Sequence, residues 1–168
     1  MTDETLSPLP LSLRDADTDD IPSLAAVERA CLPQPWSCDA LAELLSNEHA
    51  VCIAAVSEGK IIGYGSMYCI AGEGAVNNIA VLAAFRRRSV GERLLKALIS
   101  AGESRGAASF FLEVRASNAA ARSLYLKNGF AEIGYRKNYY RCPREDAVCM
   151  ALHKSAPIPG FPAENAEP

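Results

Sequence analysis

The segment that most constrains the fold joins a strand to a helix. The apolar strand end Ile79-Ala80-Val81 runs through the basic loop Arg86-Arg87-Arg88-Ser89-Val90-Gly91 into Glu92-Arg93-Leu94-Leu95-Lys96-Ala97-Leu98-Ile99. Val90, Leu94, Leu95, Leu98 and Ile99 recur at helical spacing, which predicts a helix from Ser89 to about Ser104 with one apolar face. Such a face must bury itself against another layer, so the joint points to a helix packed on a sheet. The joint also has a chemistry. The first N–H groups of a helix have no partner inside it, and the helix dipole favours negative charge there. A basic, glycine-containing loop at that place can hold a diphosphate with main-chain donors.

The remaining segments supply the other layers. Leu11 to Asp15 alternates apolar and polar as a half-buried strand does. Thr18 is placed to cap a helix with Asp19 and Asp20 in its first turn and Ile21, Leu24, Val27 and Cys31 on one face, until Pro33 and Pro35 end it. Ser37 is placed to cap a second short helix through Leu44 and Leu45. Ala50–Val56 and Ile61–Ile70 read as strands joined by the turn Ser57-Glu58-Gly59-Lys60, and Ala75–Val81 follows the turn Gly72-Glu73-Gly74. Ser109–Val114 is strand-like, and Asn118 to Asn128 is a short helix with Gly129 in the left-handed position after it. Ala131–Tyr139 and Asp146–Leu152 are strands about the turn Cys142-Pro143-Arg144. This order predicts an α/β domain over residues 11–153, one mixed and mostly antiparallel sheet with helices on both faces. Residues 1–10 read as a flexible leader and residues 154–168 as a Pro-rich disordered tail.

A chain of 168 residues suits one domain, and a net charge of −3 argues against general affinity for nucleic acid or an anionic membrane. No apolar run approaches the ~20 residues that cross a bilayer, and Met1-Thr2-Asp3-Glu4 lacks the basic leader of a secretory signal. Cys31, Cys38, Cys52, Cys69, Cys142 and Cys149 form no C-x-x-C pair, and several lie in apolar stretches, as small buried thiols in a reducing cytoplasm do. His49 and His153 stand alone, so no metal site is expected.

The most specific segment is Leu112-Glu113-Val114-Arg115-Ala116-Ser117-Asn118 with the helix after it, through Tyr125 to Asn128-Gly129-Phe130. It is accompanied by Asn78-Ile79-Ala80-Val81, the Arg86–Gly91 loop, Pro35-Trp36-Ser37, and Asn138-Tyr139-Tyr140 ahead of Arg144-Glu145-Asp146. This ordered set resembles the GNAT superfamily of acetyl-CoA-dependent N-acetyltransferases from about Leu11 to His153. Within the superfamily it is similar to the enzymes that acetylate the N-terminal alanine of a small-subunit ribosomal protein.

The resemblance implies acetyl-CoA as co-substrate and direct transfer to the α-amine of a protein, with no acyl-enzyme. A chain-terminal amine has a pKa of about 7.7–8.0, so a base must remove a proton before it attacks a thioester at neutral pH. Glu113 matches the family's base. Read from the strand alone, it is either a base partly desolvated by Phe110, Leu112 and Val114 or a sheet-face glutamate paired to Arg115. Tyr125 matches the general acid that protonates the departing CoA thiolate. It lies seven residues after Asn118 on the same helix face, and its plainer reading is a core aromatic. Asn118 matches the residue whose amide contacts the cofactor arm, and it is also placed as an N-cap. Ile79, Ala80 and Val81 match the segment whose backbone pairs with the pantetheine arm, where two strands splay apart.

Arg87, Arg88, Ser89, Val90, Gly91 and Glu92 match the diphosphate loop with two departures, because the family prefers Gly at Ser89 and often a basic residue at Glu92. Ser89-Val90-Gly91-Glu92 reads as a capping box that would occupy a donor and set a carboxylate near the phosphates, its charge open to offset by Arg86, Arg87 and Arg88, so that CoA binding is expected to be intact but weaker. Alternatively the Ser89 hydroxyl serves phosphate and Glu92 turns toward Arg88 or Lys96. Tyr139 and Tyr140 match aromatic residues near the peptide groove, or they form an alternating strand end. Glu43, Glu48, Glu145 and Asp146 are available to meet a basic peptide. Three functions stay open: transfer to a protein α-amine, transfer to a small amine or lysine, and a non-catalytic acyl-CoA-binding module.

Overall fold

The computed structural model describes residues 8–154, so residues 1–7 of the expected leader and residues 155–168 of the expected tail lie outside the described residues. The chain order is β1 (Ser12–Asp15), α1 (Ile21–Cys31), α2 (Cys38–Ser46), β2 (Ala50–Ser57), β3 (Lys60–Ile70), β4 (Glu73–Val81), α3 (Val90–Ser104), β5 (Ser109–Arg115), α4 (Ala119–Lys127), β6 (Ala131–Arg141) and β7 (Arg144–His153). Short 3-10 turns at Thr18–Asp20 and Ala83–Phe85 precede α1 and α3. The strands form one seven-stranded sheet in the order β1-β2-β3-β4-β5-β7-β6. Only the β4–β5 neighbours run parallel. The mixed, mostly antiparallel sheet expected from the sequence is therefore present.

The helix starts follow their local chemistry, with one correction. Ser37 caps α2 as expected, its hydroxyl accepting from the Ala40 N–H at 3.1 Å. Thr18 is not a cap. Asp17 takes that place, accepting from the Asp19 N–H at 2.9 Å while the Asp20 carboxylate accepts from the Asp17 N–H at 2.9 Å. Asp20 is in turn gripped by Arg14 at 2.6 and 2.9 Å, so three aspartates and an arginine close the entry to α1.

The sheet separates two cores. On one face α3 lays Leu94, Leu95 and Leu98 against Ile53, Met67, Phe110 and Met150. On the other, α1 and α2 bury Leu24, Val27, Leu41 and Leu44 over Cys52, Tyr64 and Ala80. Each fully covered Leu or Phe contributes about 1.5–3 kcal/mol. Gly102 permits the close seat of α3, since a Cβ there would lie 2.5 Å from a Phe110 ring carbon and 2.9 Å from the Met67 methyl. Burial pushes the Cys52 thiol up to about 12, which keeps it inert as the small hydrophobe expected. Cys38 and Cys142 depart from that expectation and are exposed.

Candidate active site

Two strands of this sheet part company where the site lies. β4 and β5 pair only at Glu73↔Ser109, Gly74↔Phe110 and Ala75↔Phe111. From Val76 to Val81 the inner edge of β4 has no strand beside it. Just above the last pair, the β3–β4 register passes from Met67↔Val76 to Ser66↔Asn78, so Asn77 is a bulge. The bulge shifts the phase of the residues beyond it. The Leu82 N–H donates to the Ile62 carbonyl at 2.9 Å, and antiparallel alternation then turns the main-chain groups of Ala80 toward Tyr64 of β3. Those of Ile79 and Val81 face the open side. Of the three residues expected to offer main chain to a ligand, Ile79 and Val81 turn it to the open side, and Ala80 turns it to β3. The Val81 carbonyl accepts from Arg86 Nε at 2.9 Å and Cys31 Sγ at 3.4 Å, which leaves the Val81 N–H and both Ile79 groups directed into the gap.

The loop after β4 has the shape of an anion cradle. Arg87 and Ser89 adopt left-handed backbone, φ +59° and +60°. Alternating hand along a chain gathers successive N–H groups into a concavity, and the first-turn donors of α3 at Val90, Gly91 and Glu92 continue it. Left-handed backbone at Ser89 explains why glycine suits this position. It also removes the expected capping box, because Ser89 makes no side-chain bond to the helix. Glu92 instead sits in an ion cluster with Lys127 Nζ at 3.2 Å and Lys96 Nζ at 3.4 Å, and these bonds hold its carboxyl below its ordinary value. Lys96 is one of the partners expected; Lys127, from α4, is not.

On α4, Asn118 Oδ1 accepts from the Ala121 N–H at 3.1 Å, which makes Asn118 the N-cap and leaves its amide nitrogen for other partners. Tyr125 is 8% exposed and packs its ring 5.8 Å from that of Phe130. Burial, with a smaller push from Tyr140, raises its phenol to about 12. Among the described residues no hydrogen bond reaches the Tyr125 hydroxyl, yet no buried polar side-chain atom lacks a partner. The ring is therefore enclosed while its oxygen keeps contact with solvent.

β5 alternates strictly: Phe110, Leu112 and Val114 enter the α3-side core, and Phe111, Glu113 and Arg115 lie on the other face. The apolar neighbours expected to desolvate Glu113 thus face away from it. Its side chain is 32% exposed and its partner is Arg136 Nε at 3.5 Å. Nor does Arg115 pair with Glu113. Arg115 bonds the carbonyls of Pro143 and Cys142 at 2.9 and 3.1 Å, reaches Glu145 at 3.3 Å, and lies 4.2 Å over the Tyr140 ring.

The β6–β7 hairpin carries the two tyrosines on an irregularity. The register jumps from Arg136↔Ala147 to Tyr140↔Glu145, with Asn138 at φ +53° donating its N–H to Asp146 at 2.7 Å. The strand end is therefore not a simple alternation. Tyr139 is pushed outward, and its ring meets that of Tyr140 edge to face at 5.1 Å. Glu145 and Asp146 do not stand free for a basic peptide. Glu145 accepts from the Ser117 N–H at 2.6 Å as well as from Arg115, and Asp146 holds the bulge. Burial raises the Tyr140 phenol to about 12, and Glu113 and Glu145 add to that while Arg115 opposes it. Tyr140 thus lies within charge range of both Glu113 and Tyr125.

Arg136 and Lys127 are members of this site that the sequence does not announce. Arg136 reaches Glu113 only because β7 lies between β5 and β6, where Glu113 pairs with Cys149 and Cys149 with Gly134. The acetyltransferase (GNAT) family matches residues 21–130, from the start of α1 to just past the Tyr125 helix. The ribosomal protein bS18-alanine N-acetyltransferase of Escherichia coli is 36% identical over 143 residues, 84% of this chain and 96% of that protein. A putative enzyme of the same name from Bacillus subtilis is 32% identical over 140 residues, 83% of this chain and 93% of that protein. The crystal structure of the Escherichia coli ribosomal-protein-S18-alanine N-acetyltransferase aligns with a TM-score of 0.83 at 34% identity, covering 90% of this chain and 99% of that one. The family match covers the parted seam and the Tyr125 helix and more than half of the chain, and with these relatives beside it the chain belongs to the acetyltransferase (GNAT) family.

Proposed function

We propose that this protein transfers the acetyl group of acetyl-CoA to the N-terminal α-amine of a ribosomal protein that begins with alanine, the reaction for which its relatives are named. The residues present fit an acyl-CoA. An extended arm with amide groups finds the open main chain of Ile79 and Val81, which can hold it as an added strand is held. A diphosphate finds the N–H groups from Arg88 to Glu92, with the exposed cations Arg87 and Arg88 in the same loop. Asn118 offers its amide nitrogen to the arm while its oxygen caps α4. Acetyl-CoA supplies an activated acyl carbon, and everything else is positioning and proton transfer by the chain.

Glu113 is the base in this reading. It sits on the open edge of β5 with an exposed face, so it can take the proton of an incoming ammonium directly or through water. Arg136 orients its carboxylate. Tyr125 is the acid. Burial keeps its phenol protonated at any ordinary pH, and its oxygen is not sealed from solvent, so it has a proton to give the departing thiolate. Tyr139 and Tyr140 border the entrance for the peptide, and holding both substrates in one seam supplies proximity. The observation that carries the reading is the β4–β5 seam, paired for three residues and then open beside Glu113.

The test is transfer itself. The protein is mixed with acetyl-CoA and a panel of alanine-first peptides, lysine-bearing proteins and polyamines, and the added acetyl is located by mass. Label at the terminal alanine is expected. Label on polyamines or lysine side chains would change the acceptor class, and binding without transfer would sink the enzymatic reading.

A further inference from the structure

Glu28 is wholly buried, on the inward face of α1, with no part in the proton transfers above. Among the described residues it has no cationic partner. Three donors converge on its carboxylate instead. Oε2 accepts from the Trp36 N–H at 2.8 Å, and Oε1 accepts from the Tyr64 hydroxyl and from Asn78 Nδ2 at 3.1 Å. A buried carboxylate left with fewer donors is costly, so the arrangement is held tightly. Its placement gives it a use. Asn78 directly follows the bulged Asn77 and directly precedes Ile79, the first residue whose main chain faces the gap.

The phase of β4 depends on that bulge. Val76 packs in the α3-side core. Simple alternation would return Asn78 to the same side, and the extra residue sends its side chain to the α1 side, where Glu28 waits. A register slip of one residue would turn Ala80, rather than Ile79 and Val81, toward the seam. Asn77 Nδ2 adds a weaker bond to Ser66 Oγ at 3.5 Å, which leaves the Glu28–Asn78 bond as the firmer hold. We infer that Glu28, oriented by the Trp36 N–H and the Tyr64 hydroxyl, is a positioning residue that pins the Asn77 bulge through Asn78 and so decides which main-chain groups of β4 meet the acyl-CoA arm.

This inference rests on the acetyl-CoA reading and is tested apart from it. CoA affinity is measured by calorimetry, and KM is measured separately for acetyl-CoA and for an alanine-first peptide, on wild type, Glu28→Gln, Asn78→Ala and the exchanged pair Glu28→Gln with Asn78→Asp. Each single variant is expected to weaken CoA by about tenfold, as loss of one hydrogen bond to a charged group does, with the peptide KM moved less than about twofold. The exchanged pair restores a donor facing an acceptor and is expected to recover most of the CoA affinity. A purely structural role predicts no such split and no recovery. Folded single variants with wild-type CoA affinity would overturn the inference and leave the proposed function standing. Equal losses for CoA and peptide without recovery in the exchanged pair would also overturn it. Should Glu28→Gln fail to fold, Asn78→Ala, which leaves Glu28 two of its donors, decides the same question. A wild-type protein that does not bind CoA overturns the proposed function and this inference together.

Discussion

The two halves of the sheet are built by different means. The β1–β4 half is covered on both sides, by α1 and α2 on one face and α3 on the other, and the polar side chains Glu28, Tyr64 and Ser66 are buried within it. What it offers the seam is main chain, at Ile79 and Val81. The β5–β7–β6 half is open along its far strand, where Ile133, Tyr135 and Tyr139 are exposed. What it offers is side chains, namely Glu113, Arg136, Tyr139 and Tyr140, tied by charge at Arg115–Glu145 and Arg136–Glu113. Backbone geometry protected by a core is suited to a ligand that never changes. Side chains on a charged hairpin are suited to proton transfer and to choosing an acceptor. On the proposed function, damage to the first half should appear in CoA affinity, and damage to the second in turnover or acceptor KM.

The largest break is expected at Glu113. Glu113→Gln keeps the shape and removes the proposed base, so kcat/KM at pH 7 should fall by about 10²–10⁴-fold with CoA affinity unchanged. A comparable loss of CoA affinity would blur the division between the halves. Tyr125→Phe comes next, at about 10²-fold in kcat, the lower end because a thiolate leaves readily. Its pH dependence has a definite sign. In its proposed role the phenol acts in its protonated form, and with its pKa raised to about 12 that form is lost only as pH rises toward 12. Rate should therefore climb as the acceptor amine deprotonates near pH ~8 and should show no falling limb from Tyr125 between pH ~8 and ~10. A falling limb in that window, absent in Tyr125→Phe, would contradict the burial that holds its proton.

The hairpin should respond more mildly. Arg115→Met removes the bonds to Pro143, Cys142 and Glu145 and the cover over Tyr140, so the peptide KM is expected to rise by about 5–30-fold with CoA affinity untouched. Acid should loosen the same joint. The Ser117 bonds, with help from Arg115, hold the Glu145 carboxyl below its ordinary 4.5. A depressed folded pKa stabilises above the unfolded value and ceases to do so as pH falls through the folded one. Thermal melts of wild type against Glu145→Gln should therefore converge below pH 4.5 and separate above it.

Much of the architecture was legible from residues alone. The apolar stripe of α3, the Ser37 cap, Gly129 at φ +91° and the strand-by-strand order all follow from local chemistry, and so does the loop that opens α3. Sequence reasoning failed where a partner comes from a distant strand or where period 2 matters. Phe110 and Leu112 flank Glu113 in the chain but sit on the other face of the sheet. Arg136 lies far along the chain from Glu113 and becomes a neighbour only through the β5–β7–β6 order. Asp17 outcompeted Thr18 because its carboxylate accepts from the Asp19 N–H while its own N–H donates to the Asp20 carboxylate. The Ser89 box had the right letters, but left-handed backbone put its hydroxyl out of reach of the helix N–H groups.

The smallest effect is expected at Glu92, where the comparison of halves is sharpest. Its carboxylate stands in the first turn of α3, beside donors assigned to the diphosphate, and by charge alone it should repel an anionic ligand. Lys127 and Lys96 lie at 3.2 and 3.4 Å, so the local charge the ligand meets is already positive. The cluster is at the surface and screened by salt, so Glu92→Gln should change CoA affinity by no more than about twofold, in the direction of tighter binding. Tightening of about tenfold would show that the carboxylate still acts on the phosphates directly. Weakening would show something else, that the Glu92–Lys127 pair holds α4 at its angle to α3 and that the Tyr125 helix is set from the cofactor side of the seam.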